Sequence, residues 1–283
     1  MLSRKFKNMV FANALRIALF ISLTILAFLI GSILLEGFKA LSPAFIFSEA
    51  RDFGASGGIR YQIIGSLILI AVAAAIVLPF ALGTALYRNE YVTSEKLGRR
   101  IDLAIFSLNG IPSITYGLFG LIIFVNILGM GISWLIGSIL LAMMILPTVT
   151  VSTYQAMRAI PNIYRENALA LGLTRSEMVR KVVLPQSLHG LVTGLLIGLA
   201  RAIGETAPIM FVATAFSGVT WPQSIYEPVS TLPTHILALA QQATNPAALK
   251  NAWGASLSLI IIVMMLSCLT FIARRKLEPQ RSL

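Results

Sequence analysis

Six long apolar runs, separated by short polar stretches, set the pattern of this chain. The first follows the basic residues Arg4, Lys5 and Lys7 and continues to Leu35. The second spans Tyr61 to Tyr87, with Pro79 inside it. The third, Ile101 to Leu128, is interrupted at Gly110-Ile111-Pro112, and a tight turn at Gly129-Met130-Gly131 separates it from the fourth, Ser133 to Met157, which contains Pro147. The fifth covers Leu188 to Phe211 and the sixth Trp253 to Ala273. At about 1.5 Å of rise per residue, each run is long enough as a helix to cross about 30 Å of hydrocarbon. The pattern therefore predicts an all-α, polytopic membrane protein with six transmembrane helices. The polar stretches are 36–60, 88–100, 158–186, 217–252 and the tail from Arg274, and Thr234 to Gln242 predicts a short helix within 217–252.

Composition agrees. Of 283 residues, 57% are hydrophobic and 12% charged, far from soluble globular usage. The net charge of +11 would suit nucleic acid, but the basic residues gather at the ends of apolar runs, so no nucleic-acid partner is expected. They instead orient the chain. The N-terminus, the 88–100 and 158–186 loops and the tail hold 16 of the 22 Lys and Arg, whereas the 36–60 and 217–252 segments hold 4 and the 129–131 turn none. The positive-inside rule places both termini and the 158–186 stretch in the cytoplasm. The first run is too long for a signal-peptide core, and no small-residue cleavage site follows it, so it reads as an uncleaved span. The sole cysteine, Cys268, excludes an internal disulfide, and His189 and His235 lack ligand-like neighbours. No metal site is expected. The expected organisation is one transmembrane domain over 1–283, with a core of spans two to six at 61–273.

The stretch from Arg165 to Pro185 is the most structured of the polar segments. It predicts two short helices. Asn162 caps the first, and Gly172 ends it by adopting the left-handed conformation. Thr174 and Glu177 form a capping box for the second, and Pro185 ends it by holding Leu184 out of the helical region. Ala168, Ala170 and Gly172 leave the backbone bare for close approach, and Arg165, Arg175, Arg180 and Lys181 ring that surface with charge. On local physics alone, a solvated basic loop explains the segment equally well.

The fifth run carries a second feature, G-L-A-R-A-I-G-E-T-A-P at 198–208. Gly190, Gly194, Gly198 and Ala202 recur every four residues, a small-residue ladder suited to close helix packing. Arg201 and Glu205 lie one turn apart on an adjacent face. Arg201 is 12 residues past His189, so about 18 Å along the helix. An arginine at that depth costs about 2.5–3.5 kcal/mol on insertion scales, so it should face protein or a water-filled path. Two readings stand: a neutralised pair that orients the helix, or a guanidinium that meets an anionic substrate in transit. Thr206 can add a hydroxyl, and Pro208 loosens the helix beyond.

The 165–185 stretch resembles the E-A-A loop of ABC importer permeases, in which E-A-A is followed by three residues, G, nine residues and I-x-L-P. Glu166, Ala168, Gly172, Leu184 and Pro185 match at the right spacing, while Asn167 and Val182 depart from the pattern. The segments A-R-A-I-G-E-T-A-P (200–208), G-I-P-S-I-T-Y-G-L-F-G (110–120) and L-P-T-V-T-V-S-T-Y-Q-A-M-R-A-I-P (146–161) resemble the phosphate-specific (Pst-type) permeases, in particular their A subunit. The resemblance covers most of the chain from about residue 60 onward. It implies a type I ABC importer permease (MetI-like) fold in a bacterial or archaeal plasma membrane. It implies that Glu166, Ala168, Gly172, Leu184 and Pro185 couple the chain to an ATPase through a helix docked in that partner. It implies that Arg201, Glu205 and Thr206 line the path of inorganic phosphate. Expected partners are a second, homologous permease, two ATP-binding subunits and an outer phosphate-binding protein that meets 36–60 and 217–252, all among membrane lipid.

The chain has no G-x-x-x-x-G-K-[S/T], so no cofactor is expected in it, and ATP with Mg must be bound by the partner ATPase. No G-x-S-x-G, H-E-x-x-H or C-x-x-C occurs either, so the chain is expected to be non-catalytic. Rival readings are a permease for molybdate or sulfate, an ATP-independent secondary transporter or channel, and an intramembrane enzyme.

Overall fold

The computed structural model describes residues 4–214 and 221–277, which fold almost entirely into helices. Residues 217–220 of the second outer segment and the end of the basic tail, 278–283, lie outside the described residues. Helix α1 (Arg4–Ala40) is followed by a short α2 (Pro43–Phe47), started by Ser42, whose hydroxyl accepts from the Phe45 N–H at 3.1 Å. A two-stranded antiparallel hairpin, β1 (Ala50–Arg51) with β2 (Ser56–Gly57), leads into α3 (Arg60–Leu86). Pro79 sits inside α3 without breaking it. After a wide, π-type turn at Tyr87–Tyr91 come α4 (Glu95–Asn109) and α5 (Ser113–Gly120), the latter extended by a π-type segment, Leu121–Ile127.

The interruption expected at Gly110-Ile111-Pro112 is a bend of 92° between α4 and the α5 segment. Pro112 lacks the N–H that would continue the ladder, and Ile111 precedes it. Gly129 and Gly131, at φ +64° and +72°, make the turn into α6 (Trp134–Arg158), which Ser133 caps. Five helices are each long and apolar enough to cross a membrane, and the bent α4–α5 pair makes a sixth if it counts as one span.

Two short helices, α7 (Asn162–Ala170) and α8 (Arg175–Met178), precede α9 (Leu184–Ala202). Then come α10 (Ala207–Val212), α11 (Leu232–Ala240) and α12 (Pro246–Leu277). The short outer helix, expected over Thr234 to Gln242, thus begins and ends two residues earlier, with Thr231 at its cap.

Helix α6 is the axis of the bundle. It packs between α3 and α9, and Ile136, Leu140, Leu141, Ile145 and Val149 are almost fully buried there. The glycine ladder of α9 makes this possible. A side chain on Gly190 would overlap Ala156, and one on Gly194 would meet Ser152, whose hydroxyl donates to the Gly190 carbonyl at 2.8 Å. Helix α1 instead packs on α12 and leaves Phe11, Phe20, Phe28 and Leu35 exposed along its length. Apolar surface of that extent belongs in lipid or against another membrane helix.

Candidate functional site

Two places concentrate polar chemistry. The first is the α7–α8 region. Helix α7 starts at Asn162, but its cap is Pro161, and the Asn162 side chain accepts from Arg165 instead of closing the helix. Gly172 is at φ +83° and ends α7 as expected: its N–H donates to the Leu169 carbonyl and the Leu173 N–H to that of Ala168. The capping box is also present. The Thr174 N–H donates to Glu177 Oε2 at 3.0 Å, and the Glu177 N–H to the Thr174 hydroxyl at 3.3 Å.

The expected stop at Pro185 does not occur. Leu184 is helical, at φ −62° and ψ −50°, and the helix runs unbroken from Arg175 to Ala202, 28 residues. A π-type turn at Val179–Val183 explains this, with the Leu184 N–H reaching back five residues to the Val179 carbonyl. Widening the turn moves aside the carbonyl that a proline ring would otherwise strike. Leu184 and Pro185 therefore belong to the base of the fifth span, not to the end of a separate helix.

The expected ring of charge holds at Arg180 and Lys181, which are exposed, but not at Arg165. Ala168 is buried, packed with Met157, Met178 and Val183. Arg165 turns inward to Glu90: Nε and Nη2 donate to Oε1 at 3.1 and 2.9 Å, and further donations go to the Met157 and Ile160 carbonyls. Arg175 donates to the Glu90 carbonyl and stacks over Tyr91, 4.9 Å from the ring centre. The outward face of α7 includes Ile163, Tyr164, Glu166, Asn167, Leu169 and, past its end, Leu171, which is 83% exposed. Sequence reasoning missed Glu90. It stood in a charged loop, and nothing in the linear pattern tied it to a residue 75 positions away.

The second place is a break in the fifth span. The pattern predicted one helix from Leu188 to Phe211, but α9 ends at Ala202 and α10 starts at Ala207. Pro208, in the first turn of α10, supports a fresh helix start there. Arg201 lies on the last turn of α9 and Glu205 in the break, with Arg201 Nε 3.7 Å from Glu205 Oε1. That distance is an ion pair but not a hydrogen bond. The Arg201 side chain is 47% exposed and that of Glu205 17%. Thr206 begins α10 without a capping bond from its hydroxyl. Glu205 also lines a small cleft with Ser66, Leu69, Leu141 and Thr231. The structure thus brings Arg201, Glu205 and Thr206 together and sets the α7 residues apart from them. Among the described residues no group of three or more His, Cys, Asp or Glu is placed to hold a metal ion.

Residues 78–282 match the model of binding-protein-dependent transport system inner membrane components. The chain belongs to that family. Both polar places fall inside the matched region. Relatives of this family include a probable ABC transporter permease protein, YqgI, of Bacillus subtilis, 32% identical over 85% of this chain and 86% of that protein. A probable phosphate transport system permease protein PstA of Methanocaldococcus jannaschii is 36% identical over 74% of this chain and 73% of that protein. Among solved structures, a permease fold in a bacterial alginate ABC transporter superposes with a TM-score of 0.66 at 15% identity, covering 97% of this chain and 96% of its own. The MetNI methionine ABC transporter gives 0.60 at 20%, covering 78% and 94%. The fold is therefore that of an ABC importer permease, a multi-pass membrane subunit.

Proposed function

We propose that the chain is one of two permease halves of an ATP-driven importer and that its cargo is inorganic phosphate. One observation carries this reading: Arg201 stands about half open at the break in the fifth span, with its carboxylate neighbour too far to hydrogen-bond it. A guanidinium in that state keeps paired planar donors for an oxyanion. Glu205 holds the arginine in place and repels anions that approach off its axis, and the Thr206 hydroxyl adds a contact. Permeases named for phosphate transport stand among the relatives, which favours phosphate over molybdate or sulfate.

A second, homologous permease covers the open side of Arg201 and completes the path. Two ATP-binding subunits, holding ATP and Mg, sit on the cytoplasmic side, one of them against Ile163, Tyr164, Glu166 and Leu171 of this chain. An outer phosphate-binding protein delivers cargo to the 36–60 and 217–252 segments. The chain itself performs no catalysis. It lies in the plasma membrane with both termini in the cytoplasm, as its basic loops require. ATP-driven closure of the partner subunits moves α7 and α8 and switches the path between its two openings.

The test is phosphate uptake by vesicles carrying this chain with its neighbouring subunits, with sulfate and molybdate as competitors. ATP-dependent uptake that neither competitor reduces is expected. Inhibition by molybdate or sulfate replaces the substrate, and uptake without ATP by this chain alone overturns the importer reading.

A further inference from the structure

The π-type turn at Tyr87–Tyr91 sits where the second span ends, and two charged residues within it reach in different directions. Arg88 donates through Nε and Nη2 to both carboxylate oxygens of Asp102 on α4, each at 2.9 Å, and its guanidinium lies 5.4 Å from the Tyr154 ring of α6. Glu90 accepts from Arg165 of α7, and its carbonyl accepts from Arg175 of α8. The Glu90 side chain is 5% exposed and that of Arg165 15%. Through Arg88 and Glu90 the turn therefore joins the end of α3 to α4, α6, α7 and α8. π-type turns are rare and recur at functional positions, because the extra residue can be gained or lost as the helix shifts.

We propose that Glu90 and Arg165 are positioning residues that pass the movement of α7 to the second span, which makes the Tyr87–Tyr91 turn the receiver of the ATP-driven stroke. This rests on the reading that α7 docks on the ATPase. The outward face of α7 sets Ile163, Tyr164 and Leu169 beside Glu166 and Asn167, whereas Arg165 is turned inward, so a partner bears on the helix surface without reaching that arginine. Transmission inward needs a link that neither slides nor dissolves. A charge pair held by two donors at 2.9–3.1 Å in a buried setting is such a link, and the Arg165 bonds to the Met157 and Ile160 carbonyls fix it to the base of α6 as well. The ordinary packing around Ala168 holds α7 in place but carries no directional bond to α3.

The experiment uses the whole complex in phospholipid vesicles and reads phosphate imported per ATP hydrolysed, a ratio that does not depend on how much complex folds. Glu90→Gln, Arg165→Gln and the double variant are compared with wild type. The expected result is that ATPase subunits stay bound and hydrolyse ATP, while the ratio falls at least tenfold in each single variant and no further in the double variant, as two residues acting as one link require. A ratio within twofold of wild type, or losses that multiply in the double variant, overturns the proposal. So does loss of assembly in all three variants, which makes the pair scaffold alone. Leu171→Asp separates the underlying reading: if the ATPase still co-purifies with that variant, it is the docking of α7 that fails. If the ATPase is lost there while Glu90→Gln keeps a normal ratio, only the link fails.

Discussion

Two of the arginine–glutamate pairs among the described residues are in opposite states. Glu90 and Arg165 are drawn from segments 75 residues apart, are nearly enclosed, and meet at 2.9 Å, with the remaining donors of the arginine used on the Met157 and Ile160 carbonyls and the Asn162 side chain. Arg201, at the end of α9, and Glu205, four residues on in the break, lie 3.7 Å apart, the arginine half open and the glutamate 17% exposed. The chemistry is the same, but the first pair has no donor left to offer, while the second keeps most of its donors free. A guanidinium whose donors are all satisfied fixes structure. One that is only loosely neutralised stays in place at modest cost and can still bind an anion.

The largest effect expected from breaking this contrast is on transport. Arg201→Ala removes charge-assisted donors worth about 3 kcal/mol to a bound oxyanion, so uptake should fall on the order of 100-fold while the complex still assembles. Arg201→Lys keeps the charge but not the planar fork and should retain part of the activity. Uptake assays beside co-purification check both. Normal uptake in the alanine variant would reduce the pair to an internal neutralisation.

Stability should show the reverse ranking. Glu90→Ala leaves the Arg165 charge enclosed without its counter-ion, a change that costs about 3 kcal/mol. Arg201→Ala breaks a half-exposed pair and should cost under about 1 kcal/mol. Thermal unfolding of the purified subunit in detergent checks the order. Equal shifts would mean that burial does not distinguish the pairs.

What the linear pattern revealed and what it hid follow from the same contrast. Interactions set by spacing were legible: the spans, the Gly129–Gly131 turn, the Gly172 stop, the Thr174 box, the glycine ladder and the i, i+4 pair at Arg201. Interactions set by the meeting of distant segments were not. Arg165 read as an outward charge because nothing local shows that Glu90 lies beneath it. Pro185 read as a helix end because the π-type turn before it depends on how Val179 and Val183 pack against distant residues such as Met157 and Ala168, which no local spacing shows. The break at 203–206, where Glu205 lines the cleft, comes before Pro208 rather than beyond it as expected.

His235 adds a third case, a buried titratable group with no charged partner. It is 6% exposed on α11, Gly54 leaves its ring no spare room, and its Nε2 has no hydrogen bond. Burial pushes its pKa from 6.5 down to about 4. The folded state therefore excludes a proton that the unfolded state takes up below pH 6.5. Stability should be complete above that pH, fall by about 2 kcal/mol near pH 5, and level off below about pH 4. His235→Gln should flatten this part of the profile, as unfolding midpoints measured from pH 7 to pH 4 would show. An unchanged slope would assign the acid sensitivity to other groups.

The smallest effect concerns Gly172, and it separates backbone from contact. No atom stands within 4 Å of the place its side chain would occupy, so Gly172→Ala meets no clash, yet φ is +83°. The cost is the conformational one, about 1 kcal/mol, and it falls on the joint between α7 and α8 rather than on the spans. Gly190→Ala, in contrast, drives a methyl group into Ala156 and Ser152 at the α6–α9 seam and should cost about 1–3 kcal/mol. In the Gly172 variant, hydrogen exchange should quicken at Leu171 to Thr174 and leave α6 and α9 unchanged. Faster exchange throughout α9 would mean that the joint and the span unfold as one unit, and α7 could then not move against Glu90 without disturbing the fifth span.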